Sequence, residues 1–150
     1  MCGESADPTS YADDAFKVGR LIGERGAAMI CGGMTGVMMH AARGVKAADG
    51  LTVGLLPGDD PQAANPFVDI AIATGMGQAR NHVIALSADG MIAIGGGLGT
   101  LSEIAFGLRR GKVVVGLHTW RFDRPGRTEA DLLPVDTAEE AVDLLFKQIA

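Results

Sequence analysis

The sequence predicts a doubly wound α/β domain, a parallel sheet with helices on both faces. Three observations predict it. Short apolar runs of strand length recur along the chain, stretches of helical length rich in Ala, Leu, Met, Arg and Glu separate them, and glycines cluster just after the runs. Alternating strand and helix requires parallel crossovers. The glycines that follow strands then share one edge of the sheet, the edge where an open parallel sheet carries its ligand crevice.

Strands are expected at 27–31, 51–56, 68–73, 91–94 and 113–117, each apolar enough to be buried on both faces. Helices at 11–24, 36–48, 79–87 and 100–110 fill the intervals. A last helix is expected over 138–148, where Thr137 and Glu140 supply a T-x-x-E capping box. Gly26, Gly50, Gly90 and Gly111 each precede a strand and are read as left-handed helix ends. The stretches 57–66 and 119–134 read as surface loops. The second carries Trp120, Arg121, Phe122, Asp123 and Arg124, which suit a lid, a subunit contact or the cover of a sheet edge, and no chemistry is assigned to them.

With 150 residues, 47% of them hydrophobic and 21% charged, the chain is expected to form one domain spanning 1–150. No apolar run approaches the roughly 18 to 20 residues of a membrane span, and the start lacks the layout of a secretory signal, so a cytoplasmic protein is expected. Cys2 and Cys31 have no paired-cysteine spacing and read as plain thiols. A net charge of −5 with no concentrated basic patch disfavours nucleic acid as a partner. A bound anion must therefore be met by backbone amides and a few arginines.

The strongest local signal is Ile94-Gly95-Gly96-Gly97-Leu98-Gly99-Thr100-Leu101-Ser102-Glu103, where an apolar strand runs through glycines into a helix. Amides there point at an anion. A turn capped by Thr100 and Glu103 explains that pair but not the glycines Gly95, Gly96, Gly97 and Gly99. Thr100 occupies the third glycine position of G-x-G-x-x-G, and the lysine of G-x-x-x-x-G-K-[ST] is absent, so neither a nicotinamide dinucleotide nor a triphosphate is expected.

A second cluster, Cys31-Gly32-Gly33-Met34-Thr35-Gly36-Val37-Met38, either lines the same crevice or lets a helix pack closely on a strand. The third, Thr74-Gly75-Met76-Gly77-Gln78-Ala79-Arg80-Asn81, sets one arginine after a glycine pair at a strand end. Arg80 suits a phosphate or carboxylate, because a cation in a helix's first turn is disfavoured by the helix dipole and needs a partner. Met34, Met38 and Met76 are apolar lining residues too adaptable to name the rest of the ligand. His40, His82 and His118 share no ligand-like spacing, so no metal site is expected. Lys112 precedes its strand and faces away from the glycine edge, which argues against a Schiff-base lysine and a decarboxylase.

Taken together, Gly32 to Met38, Gly77 to Asn81 and Gly95 to Glu103 resemble the LOG (Lonely Guy) family, a Rossmann-like family formerly labelled lysine decarboxylase-like. The resemblance covers nearly the whole chain. The triple glycine, where cytokinin-activating members have Pro-Gly-Gly, is similar to a bacterial branch that includes molybdenum-cofactor carrier proteins. The resemblance implies a ligand site formed by Gly32, Gly33, Met34, Gly36, Gly77, Asn81, Gly95, Gly96, Gly97, Gly99 and Thr100. It also implies a catalytic pair, Arg80 and Glu103, if the chain hydrolyses the N-glycosidic bond of a nucleoside 5′-monophosphate.

In that case the amides of Gly96 to Thr100 hold the phosphate, Glu103 stabilises the ribosyl centre or activates water, and Arg80 keeps Glu103 ionised. The rival reading is a non-enzymatic carrier or sensor of molybdenum cofactor or another phosphorylated pterin or nucleotide. No cofactor is required in either case, and a homo-oligomer is implied. Met1-Cys2-Gly3-Glu4-Ser5 resembles the end of the family's first strand and its loop. The expectation is a truncated central strand, a natural start upstream, and neighbouring strands with unpaired edges.

Overall fold

A computed structural model describes residues 1–3, 10–122 and 132–150. Seven strands, β1 (Cys2–Gly3), β2 (Met29–Cys31), β3 (Thr52–Leu56), β4 (Ile70–Ala73), β5 (Gly90–Ile94), β6 (Val113–Leu117) and β7 (Leu133–Val135), alternate with five helices among the described residues. The helices are α1 (Ala12–Glu24), α2 (Val37–Ala47), α3 (Arg80–Ser87), α4 (Leu98–Arg109) and α5 (Ala138–Ile149). Every strand pair is parallel, in the orders β1-β5-β6-β7 and β2-β3-β4. The Met1 ammonium donates to Ile30 O on β2 at 2.8 Å and so sets the two groups side by side. No described ladder joins β1 to β2. The two residues of β1 pair with Ala93 and Ile94, which leaves the first three residues of β5 without a described partner on that side.

Helices cover both faces. Alternating side chains of one strand enter opposite cores: Ile92 and Ile94 pack with α1, α2 and α5, whereas Met91 and Ala93 pack with Ala85 of α3 and Ile104 of α4. The α1–α2 contact is close because a Cβ at Gly19 would run into Ala41 and one at Gly44 into Phe16, a fit that only glycine allows. This packing fixes where α2 begins, and hence where the loop after β2 ends. No described helix is long and apolar enough to cross a membrane.

Three expectations need correction. The loop expected at 119–134 runs into β7, whose first two residues it includes and which extends the sheet beyond β6 in spite of Pro134; an edge strand has a side on which no N–H is needed. β4 is not buried on both faces: it is the outer strand of its group, and Ile70 and Ile72 are 48% and 45% exposed. Of the glycines before strands, Gly26 and Gly111 are left-handed, but the turn ahead of β3 places that conformation on Asp49. Gly50 and Gly90 instead make room for Val45 and Leu145. Glu4, Ser5, Asp123 and Arg124 lie outside the described residues.

Candidate functional site

All five strands from β1 to β5 deliver residues to one cleft at their carboxyl ends, with a volume of about 590 Å³. Gly3 comes from the end of β1, Met34, Thr35 and Met38 from the β2–α2 junction, and Pro57 from the end of β3. Gln78, Arg80 and Asn81 follow β4, and Leu98, Gly99, Thr100 and Glu103 follow β5. β1 and β5 are neighbours whose following helices leave toward opposite faces, which opens a crevice at this edge.

Among the residues expected to bind ligand or act in catalysis, Arg80, Glu103, Met34, Asn81, Gly99 and Thr100 line this cleft. Gly32, Gly33, Gly36, Gly77, Gly95, Gly96 and Gly97 are not among its lining residues; their part is in the backbone and packing next to it. A Cβ at Gly32 would overlap Arg80 Nη1, and one at Gly33 would press on Leu56. Gly36 is the left-handed N-cap of α2. Gly77 opens a single 3-10 turn, Gly77–Ala79, ahead of α3. Gly3, Thr35, Pro57 and Gln78 were not named as site residues from sequence, and Leu98 entered only through its amide. Each stands within a few residues of a strand's carboxyl end, a rule that would have found them. Met76 is 47% exposed and lies outside the lining.

The helix start after β5 differs from the capped turn that Thr100 and Glu103 suggested. The N-cap of α4 is Gly97, with no side-chain cap, and Thr100 and Glu103 already lie inside the helix. The same T-x-x-E pattern does cap α5, where Glu140 N donates to Thr137 Oγ1 at 3.2 Å and Asp136 N to Glu140 Oε2 at 3.1 Å. In α4 the first intrahelical bond runs from Leu101 N to Gly97 O. The amides of Leu98, Gly99 and Thr100 therefore have no intrahelical acceptor, and all three residues line the cleft.

Asn81 acts as a clasp between the two motifs. Its Nδ2 donates to Ser102 Oγ at 2.8 Å and to Gly99 O at 3.4 Å, while Ser102 Oγ donates to Gly99 O at 2.7 Å. The start of α3 is thereby tied to the start of α4. Arg80 is 7% exposed, and its Nη1 donates to Leu55 O at 2.9 Å. Its Nε is buried with no partner among the described residues. Burial draws the guanidinium below its ordinary pKa, against the charges of Glu103 and Cys31.

Arg80 was expected to keep Glu103 ionised. No ion pair joins them among the described residues, and Glu103 is 6% exposed. Burial pushes its carboxyl up to about 7, outweighing the opposite pulls of the amino terminus and Arg80. Both thiols are buried, and desolvation raises Cys2 and Cys31 above the ordinary range.

Solved structures share this architecture over its full length. The molybdenum cofactor binding protein of Rippkaea orientalis superposes with a TM-score of 0.87 at 34% identity, covering 99% of this chain and 94% of its own. The molybdenum cofactor carrier protein of Chlamydomonas reinhardtii gives a TM-score of 0.82 at 31% identity, covering 98% and 93%. An uncharacterized protein of Archaeoglobus fulgidus is 44% identical over 129 residues, 86% of this chain and 81% of its own. The model of the SLOG cluster4 family matches residues 1–142. With the fold, the glycine-lined strand ends and a family model that spans nearly the whole sequence in agreement, the chain belongs to the SLOG cluster4 family, a LOG-like family.

Proposed function

We propose that this protein is a cytoplasmic carrier that holds a phosphorylated pterin, with molybdenum cofactor as its cargo, and does not turn it over. The observation that carries the ligand reading is Arg80, a nearly buried cation whose Nε has no partner within the described protein and which lines a cleft together with the amides of Leu98, Gly99 and Thr100. A phosphate is the group that such donors fit. Met34, Met38 and Pro57 give the cleft an apolar wall for a flat ring system. The donor set therefore fits a phosphorylated pterin. The choice of cargo rests on the likeness to proteins of two organisms described as binding or carrying molybdenum cofactor.

Hydrolysis of a nucleoside 5′-monophosphate is the second reading, and one observation favours it. A carboxyl that titrates near 7 can give a proton to a leaving base as well as take one from water, so Glu103 supplies the general acid that an ionised residue would not. Anaerobic purification from molybdenum-cofactor-producing cells, with molybdenum and phosphorylated pterin assayed on the protein, tests the first reading. Incubation with AMP and related monophosphates, with free base and ribose 5-phosphate as the readout, tests the second. Bound cofactor without product supports the carrier; released base overturns it.

The resemblance also implies a homo-oligomer. Leu98, 77% exposed at the cleft mouth, and the bare side of β4 are the surfaces that such an assembly would cover. Native mass measurement tests the oligomeric state.

A further inference from the structure

Gly95 is held from three directions by residues that do not line the cleft. Its amide donates to Leu117 O at 3.2 Å, its carbonyl accepts from Thr119 Oγ1, and the ring of Tyr11 lies against its Cα. A Cβ at Gly95 would sit 2.5 Å from Tyr11 Cε2. The backbone there is left-handed, with φ of 57°, and Gly96 follows at φ of 122°.

Tyr11 precedes α1 as its N-cap residue but makes no side-chain cap, so capping does not account for its placement. Its ring stacks on His118 with centroids 6.3 Å apart and planes at 21°. His118 Nε2 stands 3.5 Å from Asp14 Oδ2, one turn along α1 from Tyr11. His118 itself holds φ of 50°, a conformation that costs a non-glycine residue free energy and persists only where its surroundings impose it. Ring, imidazole and Thr119 hydroxyl thus form one clamp between the start of α1 and the end of β6.

We propose that Tyr11 is a positioning residue for the glycine loop: its ring, backed by His118, holds Gly95 in the left-handed conformation from which the loop turns the amides of Leu98 to Thr100 into the cleft. The chain leaves β5 extended and must reverse within Gly95–Gly97 to enter α4. A left-handed residue at the first position makes that reversal, and glycine adopts it with no steric cost while losing the most conformational freedom on being fixed. A ring packed on the Cα removes the alternative paths. The anion site is then formed before ligand arrives, which is the condition for tight binding through backbone amides.

This inference rests on the anion-binding reading of the cleft, and the test separates the two. In ligand-free protein, hydrogen exchange of the two hydrogen-bonded loop amides, Gly95 N–H on Leu117 O and Leu101 N–H on Gly97 O, is compared among wild type, Tyr11→Phe, Tyr11→Leu and Tyr11→Ala. Inorganic phosphate and AMP are then titrated into each. Tyr11→Phe keeps the ring and is expected to leave exchange and affinity unchanged. Tyr11→Leu and Tyr11→Ala are expected to speed exchange at the loop about tenfold or more and to weaken both probes by a similar factor, with exchange in β5 and β6 unaltered. Equal loop exchange in Tyr11→Ala and wild type, or faster exchange with unchanged affinity, overturns the clamp. Wild-type protein that takes up neither probe overturns the anion reading, and the exchange comparison still decides whether Tyr11 holds the loop.

Discussion

The guanidinium of Arg80 lies directly against Gly32, so closely that a Cβ there would overlap Nη1, the same nitrogen that donates to Leu55 O. Two sequence motifs read separately as glycine clusters are thus one device: the first supplies the space and the second the cation. Gly32→Ala is expected to push the flexible end of Arg80 off Leu55 O and to cost about 1–3 kcal/mol of stability, in the range of overpacking and a lost buried hydrogen bond. The fold survives, and affinity for AMP or phosphate falls at least about tenfold. Urea denaturation and ligand titration of the same variant check both numbers.

Glu103 makes stability depend on pH in a stated direction. Its folded pKa of about 7 lies above the ordinary carboxyl value of 4.5, so the folded state holds the proton more tightly than the unfolded chain. The favourable contribution is present below the unfolded value and is lost as pH rises toward 7. For a shift of this size the difference is on the order of 3 kcal/mol. Glu103→Gln is therefore expected to stabilise the protein relative to wild type at pH 8 more than at pH 4.5, as measured by urea midpoints at both values. An equal effect at the two pH values contradicts the buried carboxyl.

Ligand binding carries the same sign. An ionised Glu103 in the cleft opposes a phosphate, so wild-type affinity is expected to fall more steeply between pH 6 and 8 than that of Glu103→Gln. The ligand's own ionisation is common to both proteins, and the difference between their profiles reads Glu103.

Gly95 and Gly97 are close in sequence but unlike in geometry. Gly95 is left-handed and pressed by Tyr11, whereas Gly97 has φ of −86°, and a Cβ placed there would meet no atom within 4 Å. Gly95→Ala is expected to cost roughly 1–2 kcal/mol for the left-handed backbone, with the Tyr11 overlap added. Gly95→Pro is incompatible with this path, because proline fixes φ near −65°. Gly97→Ala meets no overlap but replaces a glycine N-cap by alanine, and is expected to cost about 0.5–1 kcal/mol, less than Gly95→Ala, while weakening ligand binding where the anion approaches the loop. Thermal unfolding and titration of the three variants separate the roles.

The sheet-and-helix alternation was legible because each central strand is an unbroken apolar run: 91–94 and 113–117 coincide with β5 and β6 to within a residue. β7 was hidden because three residues with a proline carry no periodic signal, and only pairing with β6 makes them a strand. The start of α4 was misplaced by two residues because Thr100 and Glu103 have the spacing of a capping box, and nothing local reveals that the helix has already begun at Leu98. Arg80 and Glu103 were found by motif, and their sharing of one cleft accords with their places after β4 and β5. Their electrostatics were not legible: the sequence suggests an ion pair, whereas burial of Glu103 and the bond from Arg80 to Leu55 O depend on packing that no spacing encodes.

On this reading the amides at the start of α4, after β5, and the Arg80 guanidinium, after β4, meet on one phosphate. Titration of isotopically labelled protein with AMP or a phosphorylated pterin, followed by amide and arginine side-chain NMR, tests it most directly. Leu98, Gly99, Thr100 and Arg80 Nε are expected to shift together along one binding curve, with Met34 and Thr35 moving in the same titration. Signals at α4 and Arg80 that stay fixed while ligand saturates the protein, or that move with different affinities, would contradict it.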